Sequence, residues 1–491
     1  MEFLWTCFFY LCIAFFFIAT LKSATRRNSK LPPGPRPLPV IGNLLDLGEK
    51  PHKSLAALSK VHGPVMSLKL GQVTAVVVSS AAMAKQVLQT NDQDLCNRAI
   101  PDALKVLGHD ELGFTWIPVS PLWRSYRKIC NNTLFAGKIL DANENLRQKK
   151  VEELVAIVWE SASMGEAVDV GRLGFTTTLN LLSNTIFSVD FADPNSELAK
   201  EFKNSVWSIM EEAGKPNLSD YFPALRKLDI QGIRERMTIH MGKILNLLDD
   251  MINQRIKQQQ LNPNFAPNND MLHYLLRNED GEIEKNQIQH LLLVLFVAGS
   301  DTTSATLQWA MAELLRNPEK LAKAKAEIRQ VLGKKKAVEE ADIPKLPYLQ
   351  AVVKEAFRMH PVAPLLLPRK AEREVEIGGF TIPKDAQMLV NAWAIGRDPK
   401  SWENPELFEP ERFLGSEINV KGRSFELIPF GGGRRICPGL PLAMRMLHLM
   451  LGSLINFFDW KVEDGCEVNM EDKFGVTVEM ARPLRALPCL I

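Results

Sequence analysis

Cysteine is scarce in this chain of 491 residues, and what there is has no pattern. The seven cysteines, at 7, 12, 96, 130, 437, 466 and 489, form no CxxC pair and no regular spacing. That excludes a disulfide framework and points to reduced thiols on the cytosolic side of a membrane. Net charge is also nearly absent: 59 Lys and Arg against 57 Asp and Glu leave +2. Strong electrostatic attraction to nucleic acid is thereby excluded. There is no internal repeat and no low-complexity block. No GxGxxG follows a strand pattern and no GxxxxGK[ST] occurs, so the chain lacks a dinucleotide fold and a phosphate loop of its own.

Apolar residues are abundant at the start. Phe3 to Leu21 (FLWTCFFYLCIAFFFIATL) is uncharged and would span roughly 28 Å as a helix at ~1.5 Å per residue. Lys22, Arg26, Arg27 and Lys30 follow at once, which predicts a lumenal N-terminus and a cytoplasmic body. No positive n-region precedes the run and no small-residue cleavage site ends it, so residues 1–22 read as an uncleaved signal anchor. Residues 23–43 form a basic and proline-rich hinge ending in LPPGPRPLPVIGN, a semi-rigid, non-helical strap. Residues 44–491 are the body.

The body reads as mainly α with a small β-sheet region. Helical periodicity covers 144–163, 195–213, 231–259, 286–316 and 318–332, while β-like runs lie at Val65 to Ser80 and Val375 to Trp393.

Four short stretches carry chemistry. In FGGGRRICPG, Pro438 suits the first position of a helix, which would put Cys437 at a helix N-terminus, where free amides stabilise a thiolate. Gly431 to Gly433 let backbone approach something flat and large, and Arg434 and Arg435 offer cations to an acidic edge. In AGSDTT, Asp301 and Thr302 are polar residues inside an apolar helix, costly unless satisfied or used. Gly299 would weaken that helix and release Thr302 from bonding its own backbone. In KEAFRMHP, Glu355 and Arg358 share a helical face that Pro361 terminates. In WRSYRK, Trp123 and Arg127 lie one turn apart, placed to bond one anionic group.

Phe430, Gly433, Arg435, Cys437 and Gly439 resemble the haem-binding loop of the cytochrome P-450 monooxygenases, and the other motifs occur in that family's order across practically the whole chain. The resemblance implies the cytochrome P-450 fold, preceded by one N-terminal transmembrane helix, and haem b as cofactor. It implies that Cys437 is the axial iron ligand. Arg435, with Trp123, Arg127, Arg98 and Arg369, would hold the haem propionates, and Phe430 and Gly439 would shape the loop. Asp301 and Thr302 would deliver protons for O–O cleavage, and Glu355, Arg358 and Arg412 (of PERF) would form a buried structural triad. The nearest likeness is to plant microsomal terpenoid hydroxylases of the geraniol 8-hydroxylase group. That implies electrons from NADPH through cytochrome P-450 reductase, docking on a basic face that includes Arg124, Lys128, Arg434 and Arg445, at the endoplasmic reticulum membrane with the body in the cytosol.

By the same likeness, parts of Arg98 to Trp116, Phe296 to Thr302, Val362 to Leu367 and Phe474 to Val478 would line the substrate pocket, with Ala298, Val362, Leu366 and Val476 as named candidates. The departures fall there. Val362 and Ala363 stand where a second proline and another apolar residue are expected, and CNRA (Cys96 to Ala99) replaces a more serine-rich stretch. A monoterpenol is the expected substrate, with a sesquiterpene, a diterpene or another specialised metabolite as alternatives. A haem-thiolate isomerase or dehydratase that makes no use of dioxygen is disfavoured by the presence of Asp301 and Thr302.

Overall fold

The computed structural model describes residues 30–490 apart from Ala192 and residues 194–195, 262–269, 278–282, 334–335 and 464–466. The expected anchor, residues 1–22, lies outside the described residues.

Helices of ten residues or more are α1 (Pro51–His62), α2 (Pro121–Cys130), α3 (Glu144–Met164), α4 (Val170–Phe187), α5 (Glu197–Gly214), α6 (Ile233–Leu261), α7 (Lys285–Arg316), α8 (Pro318–Leu332), α9 (Pro347–Met359) and α10 (Leu440–Phe457). The five periodic stretches of the sequence thus match α3, α5, α6, α7 and α8 to within about two residues. Strands are few and short: β1 (Val65–Leu70), β2 (Val73–Val78), β3 (Val168–Asp169), β4 (Arg369–Lys370), β5 (Val375–Ile377), β6 (Phe380–Ile382), β7 (Gln387–Val390), β8 (Phe458–Val462), β9 (Asp472–Phe474), β10 (Val478–Met480) and β11 (Arg485–Leu490). The largest sheet has the order β1-β2-β7-β4, in which β2 and β7 run parallel, with Ala75 opposite Gln387. The Pro-rich strap is bonded to β1, Ser67 donating its amide to Pro33 O at 2.9 Å and its hydroxyl to Pro32 O at 2.7 Å. It packs as part of the body.

α7 organises the interior. Its 32 residues would extend about 48 Å at 1.5 Å per residue, and a capping box between Glu284 and Gln287 starts it. Ile288 to Val297 belong to one apolar core, with α2, α4, α5 and α6. Leu307 to Leu314 belong to another, with α3, α9 and α10. Between them α7 carries the polar run Ser300 to Ser304, so the two cores meet where the helix is least apolar. α7 and α10 are long and apolar enough to cross a membrane, but both are mostly buried in the protein, as a helix that is apolar on all sides must be.

Candidate active site

A cavity of about 340 Å³ opens at that junction, bounded by α7 on one side and the FGGGRRICPG loop on the other. Cys437 faces it. The sulfur's accessible surface is cavity surface, because protein encloses the residue on its other sides. Burial pushes this thiol's pKa up, while the Gly439 and Leu440 amides and the nearby Arg127 guanidinium pull it back. Those two amides are the free donors at the start of α10, so the sulfur is at a helix N-terminus, though not through the proline expected. α10 begins at Leu440 with Pro441 in its first turn, and Pro438 lies before it. The Gly433 backbone is left-handed (φ 69°), and a Cβ there would sit 2.0 Å from Leu88 O, which makes glycine obligatory.

Ser120 caps α2, accepting the Trp123 amide at 3.2 Å with Pro121 in the first turn, and this turns Trp123 and Arg127 into the cavity. Arg98, Arg369 and Arg435 face the same cavity. Arg435 donates to the carbonyls of Cys96 (3.0 Å), Thr115 (3.3 Å) and Ile117 (2.5 Å) and lies over the Trp123 ring. Arg98 donates to Leu367 O at 3.0 Å, Arg127 to Ile436 O at 2.7 Å, and Arg369 to Asp92 at 3.2 Å and Gly432 O at 3.3 Å. Among the described residues, Asp92 is the one carboxylate paired with any of these four guanidinium groups. Burial holds Arg435 down to about 10 and Arg98 well below its usual value, with the neighbouring arginines adding to the effect on Arg98. A buried excess of positive charge is expensive unless something anionic completes it.

Beneath the loop, Glu355 and Arg358 on α9 are fully buried and joined by two bonds of 2.7 Å, and Arg412 donates to Glu355 at 3.1 Å. Phe357, next to Arg358, packs edge-on against Phe430 at 5.1 Å.

On the opposite wall, α7 is unbroken through Gly299, whose missing side chain makes room for Leu182 of α4, where a Cβ would meet Cδ1 at 2.7 Å. The Thr302 hydroxyl therefore stays within its own helix, donating to Ala298 O at 2.8 Å, contrary to the release expected at Gly299. Asp301 turns away from Thr302 and accepts from Thr477 Oγ1 at 2.8 Å. Its carboxyl is raised by burial to about 6, moderated by that bond and by Lys203.

Ala298, Val362, Leu366 and Val476 all line the cavity, together with Leu104, Phe114 and Trp116 from the first of the expected segments. Sequence reasoning missed Ile209, Met210 and Ala213 of α5 and Met241 of α6, whose apolar spacing is that of any core helix. It also missed Thr477 as the partner of Asp301 and the contact between His109 and His290, residues 181 apart in the chain that nothing in the sequence links.

A planar group with two carboxylates and a metal reachable by sulfur fits what the cavity presents: a thiol on one wall and uncompensated guanidinium groups at the rim. The fold and the site together define a haem-thiolate enzyme. The chain belongs to the cytochrome P450 family, whose family model, described as Cytochrome P450, matches residues 32–485. Geraniol 8-hydroxylase of Swertia mussotii is 54% identical over 98% of this chain and 98% of its own length. Geraniol 8-hydroxylase of Catharanthus roseus is 54% identical over 94% and 95%, and drimenol monooxygenase of Persicaria hydropiper 51% over 96% and 94%. The protein is a cytochrome P450 monooxygenase with a haem cofactor.

Proposed function

We propose that this chain hydroxylates a monoterpenol, as at C8 of geraniol, using electrons passed from NADPH by a flavoprotein reductase. The observation that carries this reading is the 54% identity to two geraniol 8-hydroxylases along nearly the whole chain, joined to a cavity walled mainly by Leu, Val, Phe, Met and Ala side chains. Such a wall holds a terpenoid by shape, with few polar contacts.

Cys437 is the residue to ligate the haem iron, its negative charge supported by the Gly439 and Leu440 amides. Arg98, Arg127, Arg369 and Arg435 with Trp123 are the groups to meet the propionates, and Glu355, Arg358 and Arg412 brace the loop from below. Haem, when bound, supplies dioxygen activation and insertion of one oxygen atom into a C–H bond. The chain's part is to position substrate and move protons. Asp301, with a carboxyl near 6, holds its proton part of the time at neutral pH and is bonded to Thr477, which lines the cavity as Thr302 does. The apolar wall excludes bulk water from both.

The chain has no flavin or nicotinamide motif, hence the reductase, and the apolar run Phe3 to Leu21 anchors the enzyme in the endoplasmic reticulum membrane. Of the four basic residues expected on the docking face, Arg434 is paired with Asp92 and Arg445 with Asp141 and Glu340. Drimenol monooxygenase at 51% identity supports a sesquiterpene alcohol as second reading. Microsomes holding the chain and a plant reductase, given NADPH and a panel of monoterpenols, sesquiterpene alcohols and abietane diterpenes, test both. Product from geraniol carries the first reading, product from sesquiterpene alcohols alone carries the second, and product from neither class sinks both.

A further inference from the structure

Thr477 stands in the turn between β9 and β10, and that turn is pinned on both sides of it. Val476 donates its amide to Met210 O of α5 at 2.8 Å, and Val478 donates its amide to Val362 O at 2.7 Å. Gly475 donates to Thr477 O at 2.9 Å and closes the turn on itself. The end of α5 packs so tightly here that a Cβ on Gly214 would stand 2.2 Å from the Gly475 carbonyl carbon. With its backbone fixed in this way, Thr477 delivers its hydroxyl to one place, Asp301 Oδ2 on α7, 2.8 Å away.

Asp301 and Thr477 are both buried, and among the described residues no other hydrogen bond reaches the Asp301 carboxyl. The charged groups around that carboxyl are Lys203 of α5 and Glu479 of β10. The polar contact that selects among the three staggered χ1 wells of Asp301 is thus the Thr477 hydroxyl. A hydroxyl donating to a carboxylate also favours the ionised form, which opposes the burial that raises this carboxyl. Asp301 is not on the cavity wall, whereas Thr477, Val476, Met210 and Val362 are. The residues that hold the turn in place therefore belong to the wall that encloses substrate.

We infer that Thr477 is a positioning residue for Asp301: its hydroxyl holds the carboxyl in the orientation from which a proton is passed and steadies the carboxylate left after each transfer. This rests on the proton-moving role of Asp301 proposed above. In each transfer the carboxylic acid O–H breaks and the proton leaves. Thr477 donates to the resulting carboxylate, and a proton from solvent restores the acid, with no electron moved. A side chain 176 residues away thereby sets the behaviour of the acid on α7.

The test is infrared titration of the detergent-solubilised holoenzyme in a Glu479→Gln background, so that the neighbouring carboxyl does not contribute. The Asp301 carbonyl band is the one lost in Asp301→Asn. Thr477→Val keeps the shape without the hydroxyl and should move the midpoint of that band up by about one pH unit. Thr477→Ala should do the same, and Thr477→Ser, which keeps the hydroxyl, should leave the midpoint in place. Product formed per NADPH from geraniol or drimenol should fall about threefold in Thr477→Val, as one held rotamer becomes three, and should be retained in Thr477→Ser. In an Asp301→Asn background Thr477→Val should lower it no further. The reduced carbon monoxide spectrum checks that each variant is folded, and the infrared measurement needs no substrate. An unmoved midpoint in Thr477→Val, coupling that survives a moved one, a Thr477→Ser that behaves like Thr477→Val, or a further loss in the Asp301→Asn background overturns the inference and leaves the role of Asp301 standing. Unchanged coupling in Asp301→Asn overturns that role and the inference with it.

Discussion

Glu355→Gln is the substitution whose cost follows most directly from the geometry. Glu355 Oε1 accepts from Arg358 Nη2 (2.7 Å), Arg412 Nε (3.1 Å) and the Glu409 amide (2.8 Å), and Oε2 accepts from Arg358 Nε (2.7 Å). Glutamine keeps the shape and one acceptor oxygen, but its NH2 must face a guanidinium or an amide, donor against donor. One charge-assisted bond worth about 1.5–3 kcal/mol is lost outright and the others lose their charge. Arg412 retains Glu409 at 3.2 Å, whereas Arg358, with none of its side chain exposed, is left without a carboxylate. Removing one partner of a buried pair costs about 3–5 kcal/mol, a large part of the 5–15 kcal/mol that a folded domain has in hand.

The damage should reach the cavity. Arg358 also donates to the carbonyls of Gly396 (2.6 Å), Pro405 (2.7 Å) and Leu407 (3.0 Å), and its neighbour Phe357 supports Phe430 in the cysteine loop. Urea titration followed by circular dichroism and by the reduced carbon monoxide band of thiolate ligation is the assay. Glu355→Gln should lower the midpoint of both and lose the thiolate band first. Arg412→Met, which leaves Glu355 both bonds from Arg358 and removes those of Arg412 to Glu355 (3.1 Å), Glu409 (3.2 Å) and Glu403 O (2.9 Å), should cost less, about 1–3 kcal/mol. An unchanged midpoint in Glu355→Gln, or a larger loss in Arg412→Met, would refute the reasoning.

Cys437→Ser should abolish the red-shifted carbon monoxide band altogether, and a normal band in that variant removes Cys437 as ligand. Asp301 is raised from 3.8 to about 6 in the folded protein, so the native state keeps a proton that the unfolded chain has released. Stability should therefore fall as pH rises from 3.8 through about 6 and level off above it, by about 3 kcal/mol at 1.36 kcal/mol per unit. Glu479, pushed up to about 7 by burial and by the nearby Asp301, with Lys203 and Lys473 opposing, would prolong the slope, so urea melts are compared in a Glu479→Gln background. Asp301→Asn should flatten the curve there, and a slope that persists assigns it to another group. Thr302→Ala should divert NADPH into hydrogen peroxide, measured against product formed; unchanged coupling rules Thr302 out of proton delivery.

The helical frame was legible because α7 and α10 bury all sides and α3, α5 and α6 keep their period, a signal that needs only one stretch of chain. The cysteine loop was legible for a similar reason: its glycines, arginines and cysteine are contiguous, and the close approach of Gly433 to Leu88 leaves no alternative residue. Where local reading failed, a distant neighbour decided the outcome. Gly299 reads as a weak point in α7, yet Leu182 occupies the space it vacates and the helix runs straight on. Asp301 and Thr302 are adjacent in sequence but diverge, because successive helical residues point about 100° apart and Thr477 stands on one side only.

By itself, then, the sequence determined the helical class, the cysteine loop and the residues able to carry charge, since each is written in a contiguous segment or a short period. The tertiary structure alone decided which of those charges lack a counterion and where the two apolar cores leave a cavity. Those properties belong to no segment: burial and hydrogen-bond pairing are set by residues far apart in the chain, and they exist only once α7 and the cysteine loop are packed together.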